Sequence, residues 1–497
     1  MRDGLGCPPT GGLFFSFWAS TCGKASSLFL WPVLRKLAYH SALYGLTTAA
    51  GRFLNWLLTP LYAYRLSVED FGRMSELYAY MVFGTILVSI GMETTYLRFG
   101  RGGVPGTFRR ALGITFLAGV GLGSLLSLTV PWFSGPLGYQ GRETLLWLTI
   151  AIWTVDAWAA LAITHQRAVG APFRYAAIQL THVGVLIGLN LYGVGWKGWG
   201  LEFILVANLL ASLLKLIWAL AWSPVREAPG PTTPTSAVLF RYGLILALMG
   251  LLGATNDVLD RVLLPQYSRT DTALYSAAYK VATLMALFVQ AYRMAAEPLF
   301  LREAAGHAMF YARSWEAFHL AGLGVVFIFS IWAEPLLTTR WGGLLPASLL
   351  PPAYWEALWI IPILLFANLL MGSLVHASIW YKLQEKPDIG LLITGVGSLI
   401  TVVGNLYGIP RYGYAACAVT TLLAYGGMVG VSVGLGRRKL PGAFPLRWVL
   451  LAAVGIAGCI VPAYGSSWLT RLLCTLAGGV GLAWLTHIRL RKHAAGA

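Results

Sequence analysis

Three groups of polar residues stand in a chain that has few of them, and their spacing lines each group along one side of a helix. Arg52, Asn55 and Thr59 fall at i, i+3 and i+7, as do Gln290, Arg293 and Glu297, and helical periodicity makes each set a single stripe. A guanidinium stays protonated when desolvated, and its planar fork matches two oxygens of a phosphate. Arg52 is therefore the leading candidate for holding a phosphate-bearing anion, with Asn55 beside it and Gln290 and Arg293 facing it from a second helix. The alternative for Arg52 is a buried ion pair with a neighbouring helix; for Arg293 and Glu297, at i and i+4, it is mutual neutralisation near a helix end. In the third group, Asp257, Asp260 and Arg261 follow Asn256. The acid-first order favours an Asp257–Arg261 pair, and carboxylates with an amide also suit Na⁺ or H⁺, so the group reads either as a helix end or as a gate or ion site. Asp156 stands alone among apolar residues, the setting of a proton-coupled carboxyl, with pairing to Arg52 as the rival. Lys280 reads as a substrate contact or a headgroup anchor, and Lys215 and His376 as packing or hydrogen-bonding groups.

The elements that must position these groups are membrane spans. Hydrophobic residues make up 57% of the 497 and charged ones 11%, with a mean hydropathy of +0.67, which excludes a soluble domain. Fourteen apolar runs, from 40–64 to 468–487, are each long enough to cross a ~30 Å hydrocarbon core as helix. The fold class expected is an all-α integral membrane protein of about fourteen transmembrane helices. Basic residues alternate from loop to loop. Clusters such as Arg98, Arg101, Arg109 and Arg110, or Arg437, Arg438, Lys439 and Arg447, place twenty-one on one side against nine on the other. The positive-inside rule then puts both termini in the cytoplasm, and the same bias accounts for the net charge of +17 with no nucleic-acid partner. Cys7, Cys22, Cys417, Cys459 and Cys474 have no CxxC spacing and read as small apolar residues. No cofactor and no metal site is expected.

The first and seventh spans resemble each other. Tyr44-Gly45-Leu46 opens one and Tyr242-Gly243-Leu244 the other, and each is followed at nearly equal distance by a Tyr-rich helix start, Glu76-Leu77-Tyr78-Ala79-Tyr80 and Ala273-Leu274-Tyr275-Ser276-Ala277-Ala278-Tyr279. Six spans separate the copies, so both run in the same direction and a pseudo-twofold axis along the membrane normal relates two six-helix lobes. The division expected is an N-terminal extension over 1–36, a first lobe over 37–222, a Pro/Gly-rich linker over 223–236, a second lobe over 237–434, and two additional helices with a basic tail over 435–497.

Asp260-Arg261-Val262-Leu263-Leu264 followed by Ala273 to Lys280 is similar to a signature of the polysaccharide flippases, as are Asp70-Phe71-Gly72 and Glu93 with Tyr96, Arg98 and Phe99. The chain thus resembles that family, within the multidrug/oligosaccharidyl-lipid/polysaccharide exporter superfamily, over residues 40 to 410. The resemblance implies translocation of undecaprenyl-pyrophosphate-linked oligosaccharide across the bacterial cytoplasmic membrane by alternating access. Its expected partners are the polyprenyl-pyrophosphate-linked oligosaccharide, membrane lipids and polysaccharide polymerase machinery. The alternatives are a cation-coupled drug antiporter and a lipid II flippase of the same superfamily. A membrane-embedded enzyme fits least: the longest connection on the extracytoplasmic side is about 334–352, and no DxD-like site or phosphate-binding glycine loop is present.

Overall fold

The computed structural model describes residues 47, 50, 51, 53, 54 and 56–495, apart from 101, 102, 226, 229, 303–307, 341–347, 385, 440, 441, 464 and 465. The extension 1–36 and the candidates Arg52 and Asn55 lie outside the described residues, as does the side chain of Glu297.

The described secondary structure is helical throughout. The first span is described as helix over 56–65 (α1). It is followed by α2 (Val68–Ser89, continued by the short helix Met92–Phe99), α3 (Thr107–Phe133), α4 (Glu143–Ala168), α5 (Pro172–Asn190), α6 (Leu201–Ala221) and α7 (Ser236–Val258). The second half comprises α8 (Arg269–Arg302), α9 (Ala308–Thr338), α10 (Ile361–Ala377), a helical run Pro387–Gly436, α13 (Leu446–Ala463) and α14 (Trp468–Ala495). As one straight rod the 50 residues of Pro387–Gly436 would reach about 75 Å, far more than a bilayer. Gly413, with φ 52°, reverses the chain in a left-handed conformation that glycine adopts without penalty. Its two arms, α11 and α12, return antiparallel: a Cβ on Gly408 would lie 2.8 Å from that of Ala416, and one on Gly404 would lie 2.7 Å from Thr420. Described helix falls in each of the fourteen apolar runs, and eleven helical stretches, the merged α11–α12 among them, are long and apolar enough to cross a membrane.

Local sequence sets the helix ends. Ser67 caps α2 by accepting a hydrogen bond from the Asp70 amide at 3.1 Å, and Glu69 and Asp70 complement the positive end of the helix dipole. At its other end α2 is interrupted by two left-handed residues, Ile90 (φ 47°) and Gly91 (φ 62°), before helix resumes at Met92. The outward surface is apolar: Leu117, Leu128 and Val461 are each more than 70% exposed, the arrangement of a molecule whose solvent is lipid.

In the first lobe α4 packs on α2, α3 and α6, and α5 packs on α6; in the second, α10 packs on α8, α9 and the α11–α12 hairpin. The lobes meet chiefly where α2 lies against α8 and α7. A Cβ on Gly72 of α2 would overlap the Arg269 carbonyl oxygen, so two backbones touch there as small residues permit between membrane helices. At the same end Tyr64 donates to the Ser348 carbonyl at 2.7 Å, and Phe71 meets Tyr354 edge-on. At the opposite end Arg98 donates to the Tyr242 hydroxyl at 2.8 Å. The linker is pinned there to the first lobe, with Arg110 donating to the Thr233 and Pro234 carbonyls.

The last two helices are fastened to α9. Arg471, 5% exposed, donates to Glu334 at 2.8 Å and to the Ile331 carbonyl at 2.9 Å, while Trp332 donates to Thr475. Breaking a buried pair by removing one partner costs about 3 kcal/mol or more. Arg471→Met is therefore expected to lower the melting temperature in detergent, and Arg471→Met with Glu334→Leu to recover most of the loss. A single variant that melts like wild type would show that the pair is not what holds α14.

Candidate functional site

The densest polar ground in the second lobe is the seam where the end of α7 meets α11 and α12. The side chains of Thr394, Ser398, Thr401 and Asn405 recur at helical spacing along α11, and three of these residues are bonded across to α7. The Asn256 amide donates to the Thr394 carbonyl at 3.3 Å and accepts from Thr401 at 3.2 Å. Ser398 donates to the Leu252 carbonyl at 2.8 Å. Asn405, one turn further, is 1% exposed, and neither of its amide atoms has a hydrogen-bond partner among the described residues. The Asp257 carboxylate accepts from the Tyr425 hydroxyl of α12 at 2.7 Å.

Asp257, Asp260 and Arg261 lie at the end of α7. α7 ends at Val258 and a four-residue helix follows from Asp260, with Leu259 between them still in helical conformation (φ −62°, ψ −32°). Arg261 reaches back to the Asp257 carbonyl oxygen at 3.1 Å, lies 3.6 Å from the Asp260 carboxylate, and stacks on the Tyr279 ring at 4.2 Å. Asp260 is nearly buried and accepts from the Tyr275 hydroxyl and, at 2.7 Å, from the Arg261 amide. Lys280, half-buried on α8, lies within the electrostatic reach of Arg261. These four charged residues form one neighbourhood.

Other candidates are placed apart. Gln290 follows Lys280 by ten residues, roughly 15 Å along a helix; it is half-buried, and Arg293 is exposed. Between them and α10, Tyr292 and His376 share a hydrogen bond at 2.6 Å. In the first lobe Asp156 is not the isolated acid that its apolar surroundings predict: Lys215 and Ser212 of α6 both donate to it at 2.8 Å. Two intramembrane charges that look solitary in the sequence neutralise one another across α4 and α6.

At the Asp70 end of the molecule the structure assembles a charged network around Arg269, which the sequence reading does not single out. Arg73 donates to Glu69 at 2.6 Å and to Asp70 at 2.9 Å, and Arg142 donates to Asp70 at 2.6 Å. That bond holds the Arg142 guanidinium above its ordinary pKa. Glu76, fully buried on α2, accepts from the Tyr80 and Tyr139 hydroxyls at 2.6 and 2.9 Å. The Arg269 Nε lies 3.6 Å from it.

No protein-family model matches the chain, and no curated protein matches it by sequence. Solved structures do match in three dimensions. A lipid II flippase MurJ in an inward closed conformation superposes with a TM-score of 0.72 at 12% identity, covering 91% of this chain and 99% of that one. An inward-facing multidrug resistance MATE family transporter of the MOP superfamily gives 0.63 at 12% identity, with 81% and 95% covered. The chain shares the fold of these proteins. It is a multi-pass helical architecture found in a lipid II flippase and in MATE family transporters. In this chain the α7–α11–α12 seam lies within the second lobe and the Asp156–Lys215 pair within the first, whereas the Arg269 network crosses from one lobe to the other. The signal for Arg269 was available in the sequence, as a basic residue opening a span on the basic-poor side, but its partner lies 193 positions earlier in a stretch that otherwise reads as a repeat marker.

Proposed function

We propose that the protein is a flippase that carries undecaprenyl-pyrophosphate-linked oligosaccharide across the bacterial cytoplasmic membrane by alternating access, for surface-polysaccharide synthesis. The observation that carries this reading is the pair of cations Lys280 and Arg293 on α8, the second-lobe helix that packs on the first lobe. A charge within a span costs about 2.5 to 3.5 kcal/mol on insertion scales, and cations on a helix that borders the other lobe suit an anionic pyrophosphate. Arg52 is their proposed first-lobe counterpart. Asp257, Asn256 and Asp260, with the Asn405 amide that has no hydrogen-bond partner among the described residues, are proposed to take the coupling ion, Na⁺ or H⁺. The lobe boundaries at 222 and 237 and both termini on the cytoplasmic face complete the proposal.

A second reading, lipid II flippase, is favoured by the match to a MurJ structure over 91% of the chain. A drug antiporter would instead require an acid-dominated cavity. Deleting the gene separates the three. Lipid-linked glycan intermediates accumulating on the cytoplasmic face, with surface polysaccharide lost, support the proposal; loss of peptidoglycan synthesis supports lipid II. Unchanged glycans with heightened sensitivity to cationic compounds support the antiporter. Orientation is checked separately: single cysteines near Lys386 and Arg438 should resist an impermeant thiol reagent applied to intact cells, and labelling from outside would reverse the assignment.

A further inference from the structure

We infer that Arg269 and a first-lobe socket centred on Glu76 form a latch that holds the Asp70 end of the lobe interface closed, and that loading Glu76 with a proton releases it. Among the described residues, every hydrogen bond and ion pair of the Arg269 side chain goes to the other lobe. It donates to the Leu137 carbonyl at 2.6 Å, lies over the Tyr139 ring at 5.2 Å, and approaches Glu76 and Glu69 at 3.6 and 3.9 Å. The socket is shaped for it. Gly138 has φ +71°, and a Cβ there would come within 2.7 Å of the guanidinium; Gly72 lets the Arg269 backbone rest on α2.

The charges facing this point are Glu69, Asp70, Arg73 and Glu76 with Tyr80 on α2, Tyr139 and Arg142 in the connection between α3 and α4, Glu143 at the start of α4, and Arg269 and Asp271 on α8. Most are settled within their own surroundings. Asp70 is held by Arg73 and Arg142, and Glu69 by Arg73; Glu143 accepts from the Gly141 amide, and the Asp271 carboxylate accepts from Ser268, whose hydroxyl caps α8 by accepting from the Asp271 amide. Glu76 is the acid whose cation comes from the second lobe. Its tyrosine donors belong to the first lobe and stay with it when the lobes part.

An ion pair loses most of its strength when one partner is neutralised, and a buried carboxylate deprived of its cation is costly to keep charged. Protonation of Glu76 and withdrawal of Arg269 therefore favour each other, and by linkage the effect is reciprocal. If the Asp70 end faces outward, as the proposed topology has it, opening would draw its proton from outside. The latch itself needs neither that orientation nor any particular substrate.

Spin labels at Gln140→Cys on the first lobe and Tyr267→Cys on the second, both exposed positions, report the separation of this end. The measurement uses the full chain in lipid nanodiscs with its native cysteines replaced. Near neutral pH the short distance should dominate; in mild acid, where carboxyls begin to take protons, a longer population should grow. Glu76→Gln should show the longer population at both conditions with no pH response, Arg269→Lys should retain part of the closed population, and Asp70→Asn should keep the response. If Glu76→Gln does not accumulate, Arg269→Gln carries the same test from the other lobe. A Glu76→Gln or Arg269→Gln protein that keeps the wild-type distance and pH response would overturn the latch, while leaving the flippase reading untouched.

Discussion

Arg52→Ala is expected to stop export of the lipid-linked glycan while the protein remains inserted and abundant. A guanidinium bridging two phosphate oxygens makes charge-assisted hydrogen bonds worth about 1.5 to 3 kcal/mol each, so losing even one lowers affinity roughly 10- to 150-fold. Arg52→Lys keeps the charge without the fork and should rescue only in part. Surface polysaccharide and cytoplasmic-face intermediate, measured in a deletion strain complemented by each variant, give the answer when protein level is followed alongside. Normal surface glycan in the alanine variant would remove Arg52 from the mechanism. Disappearance of the protein would instead favour the buried ion-pair role.

Gly72→Val should be nearly as damaging, for a reason of shape. The added Cβ would meet the Arg269 carbonyl oxygen, a backbone atom that cannot rotate away, and overpacking of this kind costs about 1 to 3 kcal/mol. Here the cost falls only on the state in which the lobes touch at this end. Export should drop by roughly tenfold or more with normal protein level. Gly121→Val, whose Cβ would meet nothing within 4 Å, should transport like wild type. Equal activity in the two valine variants would mean that the α2–α8 contact is not part of the working cycle.

What the sequence reveals follows from how far apart the interacting residues lie. The spans are legible because membrane insertion imposes a long apolar run on each, and the reversal near 410 is legible as a gap between two such runs. The pairing of charges is not legible. Asp156 and Lys215 are 59 positions apart, and only the packing of α4 on α6 brings them together, so an acid that reads as a lone proton carrier has a cation beside it. The Asp257–Arg261 spacing shows that the two lie a turn apart, but not that Arg261 also lies beside Asp260 and over the Tyr279 ring. Glu76 and Arg269 are on different lobes, and no periodicity within either helix points to the other. Lys280 shows the limit from the opposite direction: its place in the span follows from the sequence, but its nearness to Arg261 depends on where the short helix Asp260–Leu263 sets that side chain.

Translocation by the purified protein tests the central claim most directly. With a polyprenyl-pyrophosphate-linked oligosaccharide incorporated asymmetrically into vesicles, a lectin or glycosidase confined to the other side reports molecules that have crossed. The account predicts that wild-type protein exposes the glycan at a rate well above protein-free vesicles and that Arg52→Ala, reconstituted in equal amount, does not. No exposure by the wild-type protein under either an ion gradient or a membrane potential, in vesicles where the same protein moves a fluorescent organic cation, would contradict it.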